Sequence, residues 1–240
     1  MDSFNIEHIL TFPIKEAGAR KNFLIGILVY FAGFIIPILP MVLVMGYVAR
    51  IMRQVINGEE PHMPAWDDWE SMLQDGARIY GVRIVYTLPL FVIFFPLFIG
   101  SMGLPLWMDS TNNSNEMLIL LPIILFGLMM LVIVPLSLAL GIIVPAAEAH
   151  TIAHNEFAAG FRIREWWRIF RANLGGFIIA YLISMIASLV LTIITQIAMA
   201  TLILICLLPF IFPATMLYIM LVMYTAFAQA YRDGQNRISQ

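Results

Sequence analysis

The chain has 240 residues, of which 61% are hydrophobic and 12% charged, and four stretches, 22–49, 84–108, 117–147 and 172–231, hold no charged residue at all. A soluble domain is about a quarter charged with its charges interspersed, and a charge-free apolar run of roughly 18 residues or more reads as a membrane span. A soluble globular fold, a disordered chain and a fibrous repeat are therefore excluded, and a net charge of −2 gives no global pull toward nucleic acid.

In chain order, the first 21 residues carry Asp2, Glu7, Lys15, Glu16, Arg20 and Lys21 without the apolar core and cleavage site of a signal peptide, so a retained N-terminus is expected. Pro37 and Pro40 split the first apolar run into two short halves, and the second carries Arg50 and Arg53 back to the interface. It is either one kinked span or a short, re-entrant or spanning hairpin. The runs 84–108 and 117–147 read as one span each, joined by a loop with Asn112, Asn113, Ser114 and Asn115 but no Lys or Arg. The last run, interrupted by Pro209 and Pro213, reads as two helices with a turn near 201–209. The single cysteine, Cys206, lies in that apolar run and offers no disulfide or CxxC pair.

Loop charges decide the first run. With a hairpin there, all 13 Lys and Arg residues fall on one side of the membrane, which the positive-inside rule makes cytoplasmic. The expectation is an all-α integral membrane protein of the cell (inner) membrane. It has six membrane helices in three hairpins, each preceded by an amphipathic interfacial helix, with both termini cytoplasmic. Cysteine labelling at Ser3 and Asn113 from opposite sides would test it.

The junctions before the hairpins resemble one another: ARKNFLIG at 19–26, LQDGARIYG at 73–81 and FRANLGG at 170–176. The hairpins end on VING at 55–58, AHNE at 153–156 and RDG at 232–234, where Asn and Gly suit helix ends because they tolerate the left-handed cap conformation. This implies one membrane domain, 1–240, built from repeat units 1–57, 58–155 and 156–240.

Two surface segments stand out. In 66–76, Trp66, Trp69 and Leu73 form an apolar stripe beside Asp67, Asp68, Glu70 and Asp75; in 161–173, Ile163, Trp166, Trp167 and Phe170 form one beside Arg164, Arg168 and Arg171. Both patterns fit helices lying in the interface, where Trp is favoured. They are either independent anchors or an acidic helix docked on a basic one, and the basic stripe also suits anionic lipid headgroups.

The strings GYVARIMR at 46–53, NGEE at 57–60, PAWDDW at 64–69 and DG at 75–76, with AEAHTIAHNEF at 147–157 and FRIREW at 161–166, resemble an uncharacterised group of archaeal and bacterial multispan membrane proteins, the domain of unknown function numbered 4013. The resemblance spans nearly the whole chain and implies no catalytic residue. Ala65 stands where members of the group often carry an acid. The alternation of surface helices and membrane hairpins is similar, in fold alone, to the membrane domains fused to some phosphodiesterases.

No HExxH, GxSxG, P-loop or dinucleotide motif is present, so no enzyme and no cofactor are expected. His150 and His154, at i and i+4, share a helix face as two metal ligands would, but Glu148 and Glu156 each lie about 200° round the helix from the neighbouring histidine. They read as a polar helix end, with metal binding the weaker reading. His62 with Asp67 or Asp68 is a weaker candidate still. The spans contain no ionisable residue, which argues against proton-coupled transport. The fifth membrane helix does carry Ser184, Ser188, Thr192, Thr195 and Gln196 along one stripe, suited to helix packing or to a path for neutral solutes or lipids. The favoured reading is a non-enzymatic membrane module that binds lipid or a partner protein, or forms a homo-oligomer, through its cytoplasmic Trp-rich helices. The alternative is a small transporter, channel or lipid-translocating unit using the polar stripe.

Overall fold

The structure, a computed structural model, describes residues 6–110, 116–200 and 207–240. Among these it is helical throughout: α1 Ile6–Lys15, α2 Ala17–Ala32, α3 Leu39–Ile56, α4 Trp69–Ser110, α5 Glu116–His154, α6 Ile163–Ala172, α7 Leu174–Ala200 and α8 Leu208–Ser239, with a 3-10 turn over Phe157–Phe161. Five of them, α3, α4, α5, α7 and α8, are long and apolar enough to cross a membrane. The sixth expected span, α2, has only 16 residues, or roughly 24 Å at 1.5 Å per residue against a hydrocarbon core of about 30 Å. The loop with Asn112–Asn115, the turn expected near 201–206 and Cys206 lie outside the described residues, as does Ser3.

The chain divides into two compact units, residues 1–82 with 145–240, and residues 83–144. The division runs through the middle of the second expected repeat unit. In the first unit α8 is the central pillar, touching α1, α2, α3, α6 and α7. Its core includes Tyr47 and Ile51 of α3, Met72 and Ile79 of α4, Ile152 of α5, Phe177 of α7, and Tyr224, Phe227 and Tyr231 of α8. The crossing of α3 with the start of α4 rests on two glycines: a Cβ at Gly46 would collide with the backbone of Met72, and one at Gly76 with the backbone of Val42. Only glycine lets two helix backbones come this close.

In the second unit most of the large apolar side chains described are exposed, among them Ile84, Phe91, Val92, Ile99, Ile123 and Leu131. Its internal packing includes a ladder of Phe94 on Phe98, with ring centroids 5.2 Å apart, and the buried Met129. A helix pair apolar all round satisfies its backbone internally and leaves its side chains for lipid.

Two sequence expectations are corrected. The segment 66–76 is not a separate surface helix: α4 runs unbroken from Trp69 to Ser110, 42 residues. Its start is capped by Asp68, whose Oδ1 accepts the Ser71 N–H at 3.2 Å. Nothing in 69–83 breaks the helical path, so the surface turn and the span fuse. The Asn/Gly stops occur twice, with Asn57 followed by Gly58 at φ +90° and Asn155 at φ +53°. At 232–234 there is none, because α8 continues to Ser239 and Gly234 lies inside it, against the backbone of Ile169 in α6. The glycine there serves a helix crossing, not a helix end.

Candidate functional site

Polar side chains of the first unit gather where α3, α4, α5, α6 and α8 end or begin. Asp75, 2% exposed, takes Arg53 Nη2 on one carboxylate oxygen and Arg78 Nη1 on the other, each at 2.8 Å. Both guanidinium groups also donate to Asn155 Oδ1, Arg78 at 2.5 Å and Arg53 at 3.3 Å. Asn155 reaches them because its left-handed backbone turns the chain at the end of α5. Arg50 holds Asp67 Oδ1 at 3.3 Å and Asp68 Oδ2 at 2.8 Å, and donates to the Asp68 carbonyl at 3.0 Å. Asp67, Asp68 and Asp75 are thus bound by the arginines of α3 and by Arg78, and docking of Asp67 and Asp68 on the basic stripe of α6 is replaced by these pairs. A one-turn separation on α3 places Arg50 and Arg53 on neighbouring positions, so one helix serves three carboxylates.

The tryptophans divide into two kinds. Trp66 lies flat on Tyr47, with centroids 4.0 Å apart and planes 5° from parallel, and its Nε1–H donates to the Asn22 carbonyl at 2.9 Å. Asn22 in turn donates to the Met63 carbonyl, and Tyr47 Oη to that of Pro64 at 2.8 Å. Trp166, 2% exposed, donates to the Gly160 carbonyl at 3.1 Å. These two rings stabilise the first unit from inside. Trp69 and Trp167 are the exposed members, at 46% and 37%. The apolar stripes that read as faces for the interface are therefore split, half turned into protein.

On α6 the buried residues are Trp166, Ile169 and Phe170. At about 100° per residue, Arg164, Arg168 and Arg171 fall within an arc of about 60° on the far side, all exposed, with Ile163 and Trp167 on its flank. None of the three arginines has an ion-pair partner among the described residues. Glu165, on the opposite shoulder of the helix, faces α5.

There, a second cluster forms. His150 Nε2 lies 3.2 Å from Glu165 Oε2 and His150 Nδ1 2.6 Å from Tyr231 Oη of α8. His154 Nδ1 is 3.0 Å from the His150 carbonyl, and the two imidazoles sit 4.1 Å apart. Of the glutamates near them in sequence, Glu148 is fully buried and Glu156 pairs with Arg162. The carboxylate that joins the histidines is Glu165, 15 residues away from His150. Only the short turn of 157–161, which brings α6 back across α5, makes this contact, and no local spacing signals it. His62 is engaged instead with Gln54, at 3.2 Å.

The stripe on α7 is also split. Ser184 is buried, Thr195 half-buried, and Ser188, Thr192 and Gln196 exposed. Ser184 Oγ and Thr192 Oγ1 donate to carbonyls of their own helix, at 2.7 and 2.9 Å, as hydroxyls in apolar helices do. No lined path follows from it.

Helices alone among the described residues, with five of membrane length and a buried ion network joining their ends, define a multi-helix membrane protein. Residues 29–200 match the family described as protein of unknown function, DUF4013, and the chain belongs to that family. No curated protein and no solved structure matches it.

Proposed function

We propose that the protein is a non-enzymatic membrane module that engages anionic lipid headgroups through the outer face of α6, at the cytoplasmic surface. The carrying observation is the arrangement of α6: three exposed arginines without ion-pair partners on a helix anchored by Trp166, Ile169 and Phe170. Exposed Ile163 and Trp167 flank them. A Trp beside cations suits the headgroup boundary, and each cation near an anionic surface contributes about 1 kcal/mol. Asp67, Asp68 and Asp75 are taken up by Arg50, Arg53 and Arg78 and do not neutralise this face. The family match and the membrane-length helices support the setting, and the confinement of all 13 cations to one side under the six-helix topology supports its orientation.

In nanodiscs, native mass spectrometry should show retained phosphatidylglycerol in preference to phosphatidylcholine. The triple variant Arg164→Gln, Arg168→Gln, Arg171→Gln should lose that preference by about 100-fold, three contributions of about 1 kcal/mol each. An unchanged preference would overturn the proposal. A path for neutral solutes along α7 is the weaker reading, since Ser188, Thr192 and Gln196 face outward and would need a second chain to enclose them.

A further inference from the structure

We propose that His150, His154 and Glu165 form a binding site for a divalent transition-metal ion of the zinc type. One ligand atom from each, drawn from the end of α5 and the first turn of α6, lies within 4.8 Å of the other two. Two imidazoles and a carboxylate are a donor set that suits such ions, with metal–ligand bonds of about 2 Å. In a tetrahedral site ligands at that radius sit about 3.3 Å from each other, so the widest separation needs to contract by about 1.5 Å. His154 and Glu165 are exposed and supply that freedom, while buried His150 supplies the fixed point.

The hydrogen bonds around the cluster favour coordination by the same nitrogen of each ring. His154 Nδ1 lies 3.0 Å from the His150 carbonyl, which can only accept, so the proton is on Nδ1 and the lone pair on Nε2. His150 Nδ1 lies 2.6 Å from Tyr231 Oη, which can accept as well as donate. Without metal, Nε2–H of His150 donates to Glu165; with metal bound at Nε2, the ring takes the other tautomer and Nδ1–H donates to Tyr231. That exchange moves one proton within the ring and needs no other reactant. A metal-bound histidine whose second nitrogen donates to a fixed partner is the usual arrangement, because the partner sets ring orientation and raises ligand basicity. Gln235 Nε2, 3.4 Å from the same phenolic oxygen, steadies the tyrosine.

Electrostatics agree. His154 is the last residue of α5, where the unpaired carbonyls carry partial negative charge that favours a cation. The nearby cation Arg162 is already paired with Glu156. Three protein ligands with two of them exposed leave the fourth position open to water.

The test uses the full chain in detergent, stripped with chelator and titrated separately with Zn²⁺ and Co²⁺, with bound metal measured by elemental mass spectrometry and the Co²⁺ visible spectrum. One ion per chain is expected, with a spectrum of nitrogen and oxygen ligation. His154→Ala and Glu165→Gln, both at exposed positions, should each weaken binding at least about 10-fold while leaving the metal-free melting temperature unchanged. Tyr231→Phe should weaken it about 10-fold through ring positioning, and His62→Ala should leave it intact. Failure of the wild type to retain metal, or equal binding by the His154→Ala, Glu165→Gln double variant, would overturn the site. Loss of metal without change in lipid preference would leave the role of α6 arginines untouched.

Discussion

Two helices of this chain pass as membrane spans by length and hydropathy yet meet opposite surroundings. In Leu39–Ile56, 61% of the most apolar window is buried within the protein, whereas in Leu120–His154 only 6% is, although the second is twice as apolar by mean hydropathy, 2.8 against 1.4. The first unit packs side chain on side chain around α8 and buries a carboxylate among arginines. The second leaves Phe91, Val92, Ile99 and Leu131 outward. The lower hydropathy of α3 reflects Arg50, Arg53 and Gln54, which have protein partners. In lipid there is no hydrophobic gain from packing apolar faces together, so close packing collects where glycines and polar bonds reward it. The high apolar content of the second unit therefore describes its solvent, while the mixed composition of the first describes its interior.

The sharpest way to break this contrast is at Asp75. Asp75→Ala would strand Arg53 and Arg78 and should cost about 3–5 kcal/mol, lowering the melting temperature of the purified protein followed by circular dichroism. In the second unit the penalty comes from lipid: Ile99→Arg should cost about 3 kcal/mol in insertion, read as a fall in the membrane-integrated fraction, whereas Ile99→Leu should change neither insertion nor stability by more than about 0.5 kcal/mol. At the α3–α4 crossing, Gly46→Ala should cost about 1–3 kcal/mol in the same melting assay, because the methyl meets the Met72 backbone. Tyr47→Phe removes the bond to the Pro64 carbonyl but keeps the stack on Trp66, and should cost about 1 kcal/mol. A second unit as sensitive as the first to conservative apolar changes would refute the contrast.

Much of the fold was legible in the sequence because charge-free runs report helices directly. The helix boundaries at Asn57–Gly58 and Asn155, and the surface helix α6 broken from α7 at Asn173, follow from cap chemistry. What was not legible depends on contacts between distant segments. Trp66 and Trp166 belong to stripes with ideal interfacial spacing, but periodicity cannot tell a face turned to lipid from one turned to protein. Asp67 and Asp68 were attracted on paper to Arg164 and Arg168, the larger basic group, whereas Arg50 is closer once α3 and α4 cross at Gly46 and Gly76. The histidine pair was visible at i and i+4, and its carboxylate partner was not, since Glu165 joins only through the 157–161 turn. The α7 hydroxyls align on a helical wheel, yet those of Ser184 and Thr192 bond to their own backbone and so need no shared polar face.

The most direct test of the account is the environment of the two adjacent tryptophans of α6. In single-tryptophan variants reconstituted with anionic lipid, fluorescence quenching by lipids brominated near the headgroup separates them. Trp167, exposed beside Arg164, Arg168 and Arg171, should be quenched strongly, and Trp166, buried on the Gly160 carbonyl, weakly. Weak quenching of Trp167, or equal quenching of both, would contradict an α6 that lies at the membrane surface with its basic face toward lipid.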